Sequence, residues 1–216
     1  MIELAFKTAL SYLLGSLLGS LLLGRLKGRV DIRGLGSGNP GSTNALRTQG
    51  KLFALGVAII DVGKGWLATR IVPAIPLPLA PPPSTVHNWL PAACGAAVML
   101  GHVFPLWFGF RGGKAVATFF GATLGLMPRL ALAALLAWAG VLILTGFVGL
   151  ASILAAAILP ILVAAGGLAW YRPFLGFALF AAVLVTFAHR GNISRMLAGR
   201  EPRTRHLGRL GRHAAS

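Results

Sequence analysis

The chain is 216 residues long, 56% hydrophobic and only 11% charged, whereas an ordinary soluble domain carries about 25% charged residues, so a soluble globular protein is a poor fit. Twenty Lys and Arg against four acids, Glu3, Asp31, Asp61 and Glu201, give a net charge of +16 and a pI near 12.0. A nucleic-acid binder would spread such charge along one solvated face; here long apolar runs separate the charges, which fits a membrane protein with basic loops and no nucleic-acid partner.

A membrane helix needs about 20 mostly apolar residues, within roughly 17 to 25. Residues 4–23 meet that, and Ser11, Gly15 and Gly19 recur one turn apart as a small-residue face suited to close packing. Glu3 near the start, the length of the apolar stretch and the lack of a small-residue cleavage site before Arg25 predict a retained span rather than a signal peptide. Residues 52–72 form a second span, and the repeated prolines at 73–83 predict an exposed extended loop. The third runs from 89 to about 107 and contains the single cysteine, Cys94, which reads as a small packing residue. Beyond Ala115 the apolar sequence is broken at Pro128 with Arg129, at Thr145 with Gly146, and from Gly166 to Pro173. These breaks delimit spans near 114–127, 129–145, 147–168 and 173–189, the first short enough that it must begin near Gly112 or thin the bilayer. Trp89, Trp107 and Trp170 are expected as interfacial anchors, and His87, His206 and His213 in loops or the tail.

Lys and Arg gather in cytoplasmic loops. The first loop holds Arg25, Lys27, Arg29, Arg33, Arg47 and Lys51, the third Arg111 and Lys114, and the tail Arg190, Arg195, Arg200, Arg203, Arg205, Arg209 and Arg212, together fifteen of the twenty. An odd number of spans puts all three clusters on one side; six would split them. The expected fold is an all-α, polytopic membrane bundle of seven transmembrane helices, with five as the fallback, over residues 1–199. A basic tail follows at 200–216, the N-terminus lying outside and the C-terminus in the cytoplasm.

Polar chemistry is concentrated in three inner segments. Gly36-Ser37-Gly38-Asn39-Pro40-Gly41-Ser42-Thr43-Asn44, followed by Arg47, has glycines that let backbone N–H groups turn toward an anion, with hydroxyls, amides and an arginine beside them. Its match to G-x-G-x-x-G is a decoy, because no strand precedes it and no βαβ unit surrounds it, and taken alone the loop reads more readily as a flexible connector. Gly112-Gly113-Lys114, entering a helix through Ala115, combines backbone donors, a helix N-terminus and an ammonium, although no nucleotide-hydrolysing P-loop pattern is present. His189-Arg190-Gly191-Asn192-Ile193-Ser194-Arg195 ends the last span; on a continuous helix His189, Asn192 and Arg195 share a face. His189 taken singly is a helix-terminal cation favoured by the dipole. Inside the second span Asp61 and Lys64 are three residues apart. Each costs roughly 2.5 to 3.5 kcal/mol in lipid, so they should face the interior and pair, more as a brace than as part of the site. Scattered histidines and scarce acids predict no metal centre, and no cofactor is expected.

These motifs, with Asp61-Val62-Gly63-Lys64-Gly65, Gly101-His102-Val103-Phe104-Pro105 and Glu201, resemble in order and over nearly the whole chain the bacterial acyl-phosphate:glycerol-3-phosphate acyltransferases. The resemblance implies a seven-helix enzyme of the bacterial inner membrane with a cytoplasmic active site. It would move an acyl chain from acyl phosphate to the first hydroxyl of glycerol 3-phosphate, giving lysophosphatidic acid for phospholipid synthesis. By motif position the catalytic residues would be Ser37, Lys114, His189 and Asn192. Substrate would be bound by Gly36, Gly38, Asn39, Thr43, Asn44, Arg47, His102, Gly112, Gly113 and Arg195. Ser37, Arg47 and Lys114 would hold phosphate, and His189 and Asn192 would position the reacting groups. The partners implied are glycerol 3-phosphate, acyl phosphate and membrane lipids, with the protein a monomer. The family's Lys-Gly-Gly-Lys-Gly reads Arg111-Gly112-Gly113-Lys114-Ala115 here; Arg111 keeps the charge, and Ala115 is expected to suit a helix start. The proton acceptor is either the donor's phosphate or His189. A transporter for an anionic metabolite is the competing reading, but transporters place binding at the midplane, often within inverted repeats, and these polar residues crowd one inner face. An anionic-lipid scaffold accounts for the tail, not for the Gly, Asn, Thr and His clusters.

Overall fold

Lipid offers no partner to a backbone N–H or C=O, so apolar segments of this length satisfy themselves as helices. The computed structural model describes residues 1–77, 85–166 and 172–204, and among these every regular element is helical. The order is α1 (Ile2–Ser16), α2 (Gly19–Leu26), the short α3 (Ser42–Gln49), α4 (Lys51–Arg70) and α5 (Thr85–Val103). Then follow α6 (Val116–Leu126), α7 (Pro128–Thr145), α8 (Val148–Ala165), α9 (Arg172–Ala188) and the short α10 (Arg190–Leu197). The prolines from 78 to 83, Trp170, and Arg205, His206, Arg209, Arg212 and His213 lie outside the described residues. His87, expected in a loop, falls in the first turn of α5. Trp89 and Trp107 are exposed at the two ends of the third apolar stretch.

The apolar helices follow the expected order with two corrections. The first expected span, 4–23, is two helices bent by 50° about Leu17 and Leu18, both in extended conformation. The cause lies on α4: Lys64 Nζ donates to Gly15 O (2.9 Å) and Leu17 O (2.8 Å), and Asp61 Oδ1 accepts the Gly19 N–H (3.2 Å). Backbone groups released by the break thus have charged partners. The expected Asp61 and Lys64 pair is present at 3.0 Å, with both side chains buried. The second correction is α6, an eleven-residue helix rising only about 16 Å against a hydrocarbon core of about 30 Å. Among the described residues, four helices are able by length and composition to cross a membrane, or up to six if each bent pair is one span.

Packing follows the small residues. Ser11 is buried, Gly15 brings α1 against α5 with no room for a Cβ beside Val98 O, and Gly19 lies against Val57 and Ile60 of α4. α6 runs along the second half of α4, Gly121 against Val62 and Gly125 against Thr69 and Arg70, so both helices end at one level. The main core joins Met99 of α5, Phe119 of α6, Leu159 and Val163 of α8, and Phe177 and Val185 of α9. α7 is peripheral, burying Ala131 and Ala134 and held by Trp138 Nε1 donating to Ser152 Oγ (3.2 Å). Replacing Gly15 by Leu drives α1 off α5. Overpacking costs about 1–3 kcal/mol, so thermal unfolding of the detergent-purified variant should show a fall of roughly 5 °C or more.

Candidate active site

Loop 1, residues 27–41, is folded by its own polar groups. Asp31 accepts from Arg33 N (2.9 Å) and pairs with its guanidinium (2.7 Å), which also reaches Phe108 O (3.2 Å) and so docks loop 1 on the segment after α5. Asn44, on α3 and 1% exposed, accepts the Ser37 N–H (2.9 Å) and donates to Ile32 O (3.1 Å) and Leu35 O (2.9 Å). Both of its amide hydrogens and one lone pair of Oδ1 are thus engaged in shaping the loop. Gly36 has φ 57° and its Cα faces Asn44 Oδ1, so a side chain there would be strained and obstructed. Ser20 Oγ of α2 donates to Pro40 O (2.7 Å) and anchors the loop from below. Gly36, Ser37, Gly38 and Arg47 are exposed, and Asn39 and Thr43 half-buried.

Loop 2, residues 104–115, turns back along the end of α5. Gly112 N–H donates to Val103 O (3.2 Å) and Gly113 N–H to His102 O (3.0 Å), so these donors, expected to be free for an anion, are spent on closing the loop. What the two glycines provide is closeness, since a Cβ on Gly113 would overlap His102 Nε2. His102 itself is buried, with Nδ1 3.2 Å from Thr118 Oγ1 and 3.7 Å from Asp61 Oδ1. Its imidazole therefore supports the loop from within the bundle. Ala115 does not simply start a helix: it is the N-cap of α6 at φ 56°, a left-handed conformation costing an L-residue roughly 1–2 kcal/mol, at the one position where the related motif has glycine.

The third segment bends by 57° between α9 and α10, with His189 as the α10 N-cap. His189 is therefore not on one straight helix with Asn192 and Arg195, although those two share a face. His189 is 2% exposed, and burial, with the charge of Lys114, pushes its pKa down to about 4 against the hydrogen bond to Val185. It is neutral, not the dipole-stabilised cation expected. Nδ1 lies 2.8 Å from Val185 O; a carbonyl only accepts, so Nδ1 carries the proton and Nε2 keeps a free lone pair.

Lys114 joins the segments. Its ammonium donates to Asn192 Oδ1, Asn192 Nδ2 donates to Glu201 Oε1 (2.6 Å), and Arg195 Nε to Glu201 Oε2 (2.8 Å). Burial, then the charges of Arg195 and Arg47, lower the Lys114 pKa to about 8, opposed by Glu201. Arg47 from α3, which follows loop 1, Lys114 from loop 2 and Arg195 from α10 thus share one field, three cations against one acid. Ser37 and Asn39 on loop 1 and Thr43 in the first turn of α3 stand outside this hydrogen-bonded group. Glu201 was missed as a site residue; the signal was its rarity, one of four acids in the chain, immediately after a basic motif. Thr204 N–H donates to Gly146 O (2.8 Å) and Arg203 lies over the Phe147 ring (4.9 Å), so the stretch just past the expected 199/200 boundary is held to the bundle.

A family model described as glycerol-3-phosphate acyltransferase matches residues 5–199. Proteins named glycerol-3-phosphate acyltransferase from Synechococcus sp. (strain CC9902) and Parasynechococcus marenigrum (strain WH8102) are each 41% identical, covering 90% of this chain and 92% and 87% of their own lengths. The crystal structure of PlsY, an integral membrane glycerol 3-phosphate acyltransferase, in its glycerol 3-phosphate form matches with TM-score 0.80 at 35% identity, covering 93% of this chain and 94% of that one. Its lysophosphatidic acid form matches with TM-score 0.77 at 33% identity over the same shares.

Ala115 offers a direct test of the left-handed cap. Ala115→Gly should be tolerated within about 1 kcal/mol, lost methyl burial offsetting relieved strain, whereas Ala115→Val should destabilise by roughly 2 kcal/mol or more, read as thermal unfolding in detergent. Equal effects of the two substitutions would contradict the cap geometry.

Proposed function

The chain belongs to the glycerol-3-phosphate acyltransferase family and acylates glycerol 3-phosphate to lysophosphatidic acid in phospholipid synthesis, and we propose that acyl phosphate is its donor and the three converging loops its active site. The observation that carries this reading is the hydrogen-bonded chain from Lys114 through Asn192 and Glu201 to Arg195, with Arg47 and His189 in the field of the Lys114 charge. Two phosphate-bearing substrates must be brought together there, and cationic clamps with a hydrogen-bond acceptor are the groups that task requires.

Ser37, Arg47 and Lys114 hold the phosphates. His189 Nε2 accepts a hydrogen bond from the first hydroxyl of glycerol 3-phosphate and aims its oxygen at the acyl carbonyl carbon. The C–O ester bond forms, the bond from acyl carbon to phosphate oxygen breaks, and phosphate leaves. A histidine with a pKa near 4 is a poor resting place for a proton at neutral pH, so the hydroxyl proton departs on the leaving phosphate. Acyl phosphate is already activated, so no covalent enzyme intermediate is required. Asn192, its amide divided between Lys114 and Glu201, acts by holding Lys114. All these residues come from one chain, and a monomer suffices.

The same reading gives seven crossings, with the N-terminus outside and the loops and C-terminus in the cytoplasm. The basic loops support the orientation. α6 ends level with α4 and starts beside His102, and loop 2 occupies the remaining inner depth. Non-helical backbone is tolerated there because it is buried in protein and Gly112 and Gly113 are bonded to α5 carbonyls.

Purified enzyme given acyl phosphate and glycerol 3-phosphate should release phosphate and lysophosphatidic acid without coenzyme A; activity with acyl-coenzyme A alone would overturn the donor. His189→Ala and His189→Gln should each lower kcat about 100-fold or more, and near-normal turnover in both would remove the imidazole from the mechanism. Lys114 loses its charge as pH rises through about 8, so KM for glycerol 3-phosphate should climb roughly tenfold between pH 7 and 9, and Lys114→Arg should flatten that climb.

A further inference from the structure

A folding brace has no need of charge, since buried ion pairs are often replaced by apolar residues without loss of stability. Asp61 and Lys64 sit inside α4, 1% and 3% exposed, and no part of the acyl transfer described above uses them. Their contacts run toward the active site from two directions. Asp61 Oδ1 accepts the Gly19 N–H that opens α2 (3.2 Å), and the next residue, Ser20, donates its hydroxyl to Pro40 O of loop 1 (2.7 Å). Lys64 Nζ fixes the other side of the same break through Gly15 O and Leu17 O, and Ser16 Oγ between them accepts the Leu106 N–H (3.2 Å). In the second direction Asp61 Oδ1 faces His102 Nδ1 at 3.7 Å. His102 is further held by Thr118 of α6, its carbonyl bonds Gly113 N–H, and its ring edge lies against Gly113, the residue before Lys114.

We propose that Asp61, Lys64 and His102 form a positioning centre that sets loop 1 and loop 2 in register with each other, so that Arg47 and Lys114 converge on one phosphate. This rests on the assignment of those loops to phosphate binding. The charges serve because only a carboxylate and an ammonium offer several strong, directional bonds at once to a helix break and a neighbouring imidazole. None of the three touches substrate; each acts through the backbone it fixes.

The test separates folding from register. Asp61→Asn alone leaves Lys64 buried without its counter-charge and should destabilise. The double variant Asp61→Asn with Lys64→Gln removes both charges together while keeping an acceptor for Gly19 N–H and a donor for the freed carbonyls, so it should unfold closer to the parent than Asp61→Asn alone does, yet its KM for glycerol 3-phosphate should rise tenfold or more. His102→Ala should raise the same KM by a similar factor, and His102→Asn, which keeps a polar atom near the Nδ1 position, should recover most of it. Calorimetric binding of glycerol 3-phosphate, measured without any acyl donor, must weaken in parallel. A double variant or a His102→Ala enzyme with parental binding and KM would overturn the proposal, and if the double variant does not fold, the His102 pair decides it. Absence of glycerol 3-phosphate binding by the parent would instead overturn the assignment of the loops.

Discussion

A carboxylate and an ammonium 3.0 Å apart in the middle of an apolar bundle impose conditions on everything near them. Neither ion is tolerable in hydrocarbon without several partners, and the helix supplying them has no spare backbone groups to offer. The partners come from a neighbour that must stop being a helix to provide them: Gly15 O, Leu17 O and the Gly19 N–H are available because α1 breaks from α2. The break in turn tolerates lipid depth because the ions satisfy it. From this exchange α2 takes its direction, loop 1 its anchor at Pro40, and the end of α5 its place beside the carboxylate.

The site gathers like charge where burial makes like charge expensive. Lys114 is half-buried, bears the fields of Arg195 and Arg47, and is relieved only by Glu201. Such a cluster is a poor arrangement for an empty protein and a good one for a protein holding phosphate, because each incoming anion satisfies several cations at once. In the proposed reading, a bound phosphate offsets that like-charge repulsion. His189 beside it stays neutral for the same reasons, burial and a nearby ammonium, and its usefulness lies in a fixed tautomer more than in basicity.

Much of this was legible in the chain. Apolar runs fix where helices occur because lipid leaves the backbone no alternative, and breaks at Pro128 and Gly146 appear where expected. The Asp61 and Lys64 pair followed from cost alone, and the three basic motifs were found by composition. What stayed hidden were interactions between segments distant in sequence. Leu17 and Leu18 look like any helical leucines until Lys64 approaches them. Asn44 and His102 are polar residues in binding-type motifs, and only their partners, Ile32, Leu35 and Ser37 for one, Asp61 and Thr118 for the other, show that their polarity is turned inward. Ala115 reads as a good helix former, and its left-handed φ is set by loop 2 closing on α5.

Glu201 lies thirteen residues beyond Ala188, the last residue of α9, and its side chain holds both Asn192 and Arg195, while Thr204 fastens the same stretch to the turn between α7 and α8. During synthesis all the membrane helices emerge before this stretch does. A chain halted just after α10 would have its bundle assembled but Asn192 and Arg195 without their shared acceptor, and Lys114 without the only acid in its field. The charge balance of this cluster is thus completed by a residue beyond the last long apolar helix and not by the apolar bundle itself.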